Sequence, residues 1–327
     1  MILAYHRVAS PPSDPQLLAV PPSRFEEQLA ALRAHFDPAS LSRLAEALES
    51  GRRPAGVVLT FDDGYGDNLH EALPLLERYD WPATVFVTTG YVGGAREFWW
   101  DELERIVLVP SQLPDTLSLT VCGRRRTWDT RVSSDGPPSA ASAWNLEERW
   151  DPSARHSTYR ALCSAVRGLM PVDRESLLED LRSWAGVERN VRPSNRPLAE
   201  GELDDLSTAG LVEIGAHSEE HPALASLPVA AQQKEIDGSK RFLEDRLGRK
   251  VEHFAYPFGR GRWPRRTYGR DSVKLVRDAG YAAACSLKPA VRLGSGLYEL
   301  PRLIVRDWDG DELIRRIRTH LPAWSSL

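Results

Sequence analysis

Short apolar runs alternating with amphipathic, helix-spaced stretches occupy both ends of this 327-residue chain, and that rhythm restricts its fold more than any other feature. Residues 2–5 read as a strand, followed by a helix that Ser23 is expected to cap, with Phe25, Leu29 and Leu32 on one face. Residues 57–61 read as a buried strand, 67–79 as a helix turning Leu69, Leu73 and Leu76 inward, and 83–88 as the next strand. The alternation resumes with strands at 211–216, 253–256, 281–286 and 300–305 and helices at 229–247, 272–279 and 311–320. The expectation is an α/β fold with the carboxyl ends of its strands gathered on one face.

Between these blocks, over residues 93–196, the rhythm is lost and Trp, Pro, Ser and Arg accumulate. Six of the ten tryptophans, Trp99, Trp100, Trp128, Trp144, Trp150 and Trp184, fall in this stretch. Residues 100–108 and 159–169 are helix-like and 133–142 read as a loop, which makes the stretch a part-ordered insertion. It follows the third strand and is therefore expected on the face of the strand ends, as a lid or one wall of a pocket. Its tryptophans suit the core of a small subdomain or stacking on sugar rings. The division expected is 1–94 with 197–327 as one domain and 95–196 as the insertion.

Forty-two Lys and Arg against 46 Asp and Glu give a formal charge of -4, without the basic excess of a nucleic-acid binder. No apolar run is long enough to span a membrane, and the first residues lack the basic flank and apolar stretch of a signal peptide; a soluble, cytoplasmic protein is expected. Cys122, Cys163 and Cys285 are odd in number and widely spaced, which suits buried thiols rather than a disulfide framework or a cysteine zinc site.

Asp62 and Asp63, in TFDDGY, follow a strand and precede Gly64, which permits a sharp turn. Neighbouring side chains at a strand end point in different directions, so one carboxylate can hold a cation while the other accepts a proton. His217 and His221, in HSEEH, also follow a strand; in a helical turn their i, i+4 spacing puts both imidazoles on one face. His6 follows the first strand, and the FAYPFG turn at 254–259 another. All fall at the strand ends where a barrel builds its active site. Together they suggest a His-His-Asp site for a divalent cation, with positions left for water and a substrate carbonyl, as a hydrolase requires.

TFDDG, HSEEH and FAYPFG, in that order after a YHRV start, resemble the polysaccharide deacetylases of the NodB-homology group, carbohydrate esterase family 4. The resemblance covers residues 1–95 and 200–307 and implies a distorted (β/α)7 barrel carrying a large, partly helical insertion. It also implies that Asp62 is the general base, that Asp63, His217 and His221 bind the metal, and that the backbone N–H of Phe258 helps form an oxyanion hole. Zinc suits so nitrogen-rich a site best, and iron, cobalt or nickel can use the same ligands.

Three departures stand out. The family's third motif carries an arginine supporting the catalytic aspartate, but Ala255 stands at that place; Arg302 and Arg306 are the candidates to replace it. The late Leu-x-His motif that supplies the general acid is missing, and His320 lies too far on to match. In a circularly permuted subgroup the acid histidine comes first in the chain, as His6 does here, so the resemblance carries that role onto His6. Finally, the stretch from Asp63 to His217 is far longer than relatives need, the excess being the insertion.

The activity expected is metal-dependent removal of an N-acetyl group from an amino sugar, such as a nucleotide sugar or a lipid-linked saccharide. A sugar N-deformylase or an O-acetyl esterase would use the same site, and a catalytically silent carbohydrate-binding scaffold is the alternative from another class. Trp308, after the last strand, together with Arg302, Tyr256 and Gly259, are the candidates for substrate contact. The partner expected is a small saccharide, with no nucleic acid.

Overall fold

Strands that are apolar on both faces belong in a parallel sheet covered by helices, and seven such strands build the frame of the site. They are β1 (Ile2–Tyr5), β2 (Val57–Phe61), β3 (Ala83–Val87), β4 (Val212–Ala216), β5 (His253–Ala255), β6 (Ala283–Cys285) and β7 (Leu303–Ile304). The computed structural model describes residues 1–327 except 53–54, 122, 132–142, 260–265, 288–295 and 325–327, and side chains as far as residue 320. The sheet order is β6-β5-β4-β3-β2-β1-β7, all parallel, with the short Pro38–Ala39 strand adding to β2. Past the end of β6, the Ser286 N–H donates to the Leu300 carbonyl, and a parallel bridge joins Cys285 to Leu300, three residues before β7. The sheet is thus curled on itself, the distorted (β/α)7 barrel that the motifs imply.

Local sequence accounts for most of the elements and for their departures from expectation. The first long helix, Pro22–His35, buries Phe25, Leu29 and Leu32, but it starts at Pro22 and Ser23 lies inside its first turn instead of capping it. Proline is preset for that position, since its fixed φ is helical and its missing N–H is not needed there. The helix expected over 67–79 is divided into a π-helical turn, Asn68–Ala72, and an α-helix, Leu73–Arg78. Pro74 has no N–H to offer the His70 carbonyl, so the i to i-4 ladder cannot run through this point. Leu41–Glu49 and Glu200–Thr208 form helices that the apolar pattern did not announce. Among the described residues no helix is long and apolar enough to cross a membrane.

The chain divides into two compact units: Met1–Ser10, Leu18–Gly94 and Pro197–Leu327 make the barrel, and Pro11–Leu17 with Ala95–Arg196 make the second. The second contains the helices Trp99–Val107, Ala154–Val166 and Pro171–Ala185 and an antiparallel hairpin, Thr116–Val121 with Arg124–Asp129. Trp99, Trp100 and Trp144 are buried in this unit, so these three serve its core rather than presenting faces to a sugar. Trp150 is exposed, while Trp184 Nε1 donates to the Thr116 carbonyl. Buried charge is paired here as burial demands: Arg192 donates to both Glu97 oxygens and to Glu104, and Arg182 to Glu102. Gln16 donates to the Tyr159 hydroxyl within the same unit. Cys163 and Cys285 are buried free thiols, pushed up to about 12 by burial and therefore unreactive. Cys122 and the loop at 133–142 lie outside the described residues.

Candidate active site

Parallel register carries the functional side chains to one edge of the barrel. Tyr5 pairs with Phe61, so His6 and Asp62 leave the sheet side by side, and Val87 pairs with Ala216, so His217 leaves it two residues further along, beyond β3. The Asp62 N–H donates to the Tyr5 carbonyl at 3.0 Å and the His217 N–H to the Val87 carbonyl at 2.9 Å, which fixes where each side chain starts.

Asp63, His217 and His221 offer one ligand atom each, all within 4.8 Å of one another and all buried. The Asp63 Oδ1 lies 3.6 Å from His217 Nε2 and 3.4 Å from His221 Nε2. The Nδ1 of His217 is 2.8 Å from the Ala255 carbonyl; it must donate there, which leaves Nε2 as the lone-pair nitrogen facing the cluster. Two imidazole nitrogens and a carboxylate oxygen converging in a buried pocket fit a divalent transition metal such as zinc.

The loop that presents the two histidines is not the helical turn that their spacing suggested. It is irregular, with Ser218 (φ +65°) and His221 (φ +52°) in the left-handed region, as is Asp63 (φ +75°) across the site. Non-glycine residues occupy that region at a cost and need support. Ser218 Oγ accepts from the His221 N–H, and one Glu235 oxygen accepts from the N–H groups of both Glu219 and Glu220. The Gly90 N–H donates to the Glu219 carbonyl at 2.8 Å, and a Cβ on Gly90 would lie 2.6 Å from that oxygen, so only glycine permits the approach.

The second aspartate occupies a different environment. Arg302 donates from Nη1 to Asp62 Oδ1 at 2.6 Å and from Nη2 to Oδ2 at 2.7 Å, a bidentate pair, and from Nη1 to the Thr60 hydroxyl at 3.0 Å. Thr60 in turn donates to the Leu3 carbonyl at 2.8 Å. Arg302, and not Arg306, therefore stands where the missing arginine is needed. Its side chain is 0% exposed, and its hydrogen bonds go to Asp62 and Thr60. Burial alone would push the Asp62 carboxyl up, but the Arg302 guanidinium and its neighbours hold it at about 2. His6 Nε2 is 4.0 Å from Asp62 Oδ2; burial drives its imidazole down to about 4 against the pull of the Asp62 charge. Asn68, in the π-helical turn, donates to the His6 carbonyl at 2.9 Å, and Asp67 accepts from Arg7 and from the Val8 N–H.

Two other candidates for substrate contact, Tyr256 and Gly259, are also buried, and Trp308 is half-buried. Tyr256 is buried, its ring stacked on Tyr268 with centroids 4.1 Å apart and its hydroxyl donating to the Tyr298 carbonyl. Gly259 is buried too: its N–H donates to the Tyr256 carbonyl, its own carbonyl accepts from Leu287, and at φ +49° a Cβ would strike that residue. The Trp308 ring packs against the barrel core beneath the Arg316 guanidinium, 4.1 Å from its centroid, in the final helix Gly310–Trp324. Phe258, at φ +61°, sets its ring edge-on to His221, centroids 4.6 Å apart. Sequence reading missed Thr60, Asn68 and Glu235, although the first two lie in the same short run as the aspartates.

Comparison with known proteins bears on this site. The family model described as polysaccharide deacetylase matches residues 50–112 and 183–284, half of the chain. A poly-beta-1,6-N-acetyl-D-glucosamine N-deacetylase of Escherichia coli strain K12 is 34% identical over 84 residues, 25% of this chain and 12% of that protein, so the chain spans only a small part of that relative. The Streptococcus pyogenes deacetylase PplD, in complex with acetate, superposes with a TM-score of 0.58 at 18% identity, covering 96% of each chain. IcaB from Ammonifex degensii superposes with a TM-score of 0.56 at 15% identity over 100% of this chain and 96% of its own.

Proposed function

Since the chain belongs to the polysaccharide deacetylase family, we propose that it is a metal-dependent hydrolase that removes the N-acetyl group of an amino sugar. The observation that carries this reading is the pairing of a buried Asp63-His217-His221 cluster with an arginine-held Asp62 that stays ionised beside it. A divalent cation in that cluster would polarise the acyl carbonyl and lower the pKa of a water.

The residues divide the remaining work. Asp62 accepts the proton of the attacking water, whose oxygen bonds to the acyl carbon. His6, whose Nε2 lies 4.0 Å from Asp62 Oδ2, is the neighbouring imidazole that can take the proton on from the carboxylate. His6 then delivers it to the sugar nitrogen as the carbon-nitrogen bond breaks, releasing acetate and a primary amine. His6 need not be protonated at rest for this relay, which suits its depressed pKa. The Phe258 N–H, in the turn after β5, would help hold the developing oxyanion, as the family resemblance implies.

The test of the reading is calorimetric titration of zinc into chelator-stripped protein, with Asp63→Ala as the control. Near-stoichiometric binding lost in the variant, together with equal release of acetate and primary amine from N-acetylglucosamine oligomers, is expected. No zinc binding would remove the proposal, and acetate without amine would turn it into an O-acetyl esterase. His6→Ala should keep the zinc and lose about 10²-fold on amides, but much less on activated esters, whose leaving groups need little protonation. Equal losses on both substrates would take the acid role away from His6.

A further inference from the structure

β3 ends at Val87, but the next residue, Thr88, keeps an extended backbone, with φ -83° and ψ 101°. Side-chain alternation therefore carries through it, and Thr88 shares a face of the strand with Thr84 and Phe86 rather than with Val85 and Val87. That face is the barrel interior, since the Phe86 ring lies 5.4 Å from the guanidinium of Arg302, which holds Asp62. Val87 pairs with Ala216, so Thr88 falls level with His217 on the neighbouring strand. The Thr88 N–H donates to the Asp63 carbonyl at 3.1 Å, and the Thr89 N–H to the Ser218 carbonyl at 3.1 Å. Thr88 thus stands between the two loops that supply the metal cluster, and it is as deeply buried as Asp63 and His217.

The fold makes no use of its hydroxyl. Thr88 is the N-cap of the short 3-10 turn Thr89–Tyr91, a position where a threonine hydroxyl ordinarily accepts from the turn, yet no such bond is made. Among the described residues Oγ1 has no hydrogen-bond partner. A hydroxyl sealed from water without a partner costs stability, and a valine of the same shape would avoid that cost. The balance changes when a ligand brings an acceptor to it.

We propose that the Thr88 hydroxyl contacts the substrate, donating a hydrogen bond to an oxygen of the acyl group at the Asp63-His217-His221 cluster. The identity of that acyl group rests on the deacetylase reading; the need of the hydroxyl for an acceptor does not. The ligand atom is an oxygen because a hydroxyl proton seeks a lone pair, and that of an amide nitrogen is delocalised into its carbonyl. β3 and β5 flank β4 in the sheet, so Thr88 and the turn that holds Phe258 stand on opposite sides of the strand that carries His217. A side-chain donor from one side thereby complements the backbone donor that the resemblance implies on the other.

Acetate keeps the acyl oxygens and serves as the probe. Titrated into the zinc-loaded full chain, it should bind Thr88→Val about tenfold more weakly than the parent and Thr88→Ser as the parent does, with zinc affinity the same in all three. In urea unfolding of metal-free protein, the midpoint of Thr88→Val should lie at or above that of the parent, because no bond within the protein is lost. A hydroxyl with only a structural role would give the reverse pattern, a lower midpoint with acetate binding unchanged. Equal acetate binding in parent and Thr88→Val, none to the parent, a lower midpoint in Thr88→Val, or a weakening as large in Thr88→Ser each overturns the contact, whatever amine is released from N-acetylglucosamine oligomers. Hydroxyl-dependent acetate binding with no amine released would support the contact and remove the deacetylase reading instead.

Discussion

Asp62→Asn is expected to lose about 10²–10⁴ of the turnover while zinc still binds, because the substitution removes a proton acceptor and spares Asp63, His217 and His221. The Asn carbonyl can still accept one of the two Arg302 hydrogen bonds, so the side chain keeps its place. Turnover and zinc stoichiometry measured on one sample decide the matter, and near-parental turnover would deny Asp62 the base role. The pH profile gives a second check. With its carboxyl at about 2, Asp62 stays ionised through the weakly acidic range. A loss of activity that sets in as pH falls toward about 5 therefore comes from a group other than Asp62, and proton competition for the imidazole nitrogens of the metal cluster is the expected cause.

Arg302→Leu should destabilise the barrel by about 3–5 kcal/mol at pH 7, because it strands a buried carboxylate. The sign of its pH dependence is opposite to that of the parent. In the parent the folded pKa of Asp62, about 2, lies below the unfolded value, so this group adds stability that is complete above about pH 4 and is lost as pH falls toward 2. Without the guanidinium, burial dominates and the folded pKa rises above the unfolded one; stability is then kept at low pH and lost as pH rises through the new value. Urea unfolding of metal-free protein at pH 7 and pH 4 should thus show a large deficit at the first and a smaller one at the second. The same deficit at both would mean that Arg302 acts by packing against the Phe86 ring, 5.4 Å away, rather than by charge.

What could be read in advance follows from the range over which sequence patterns act. Apolar periodicity is local, and it located all seven barrel strands to within a few residues. It missed the helix Pro171–Ala185 and the hairpin Thr116–Val121 with Arg124–Asp129, where charge-rich stretches obscure the period. The site residues were legible because each follows a strand directly, and parallel pairing brings strand ends together wherever they lie in the chain. Arg302 was legible only as one of two options, since its bond to Asp62 joins residues 240 apart and no local pattern distinguishes it from Arg306. The geometry of the HSEEH loop was misjudged for a related reason. Spacing of four suggests a helix, whereas the histidines converge through two left-handed residues and the support of Glu235, seen only once the Val229–Leu247 helix is packed beside them.

The sheet order carries a consequence for how the molecule is made. β1 lies between β2 and β7, and the second of these neighbours follows it in the chain by almost three hundred residues. Until that neighbour pairs, one edge of β1 is open, a template for pairing with other chains. Arg302 comes with the same late segment, so the bidentate partner of Asp62 is among the last parts of the barrel to be made. A chain that ended before residue 302 would lack both the second neighbour of β1 and the guanidinium that balances Asp62.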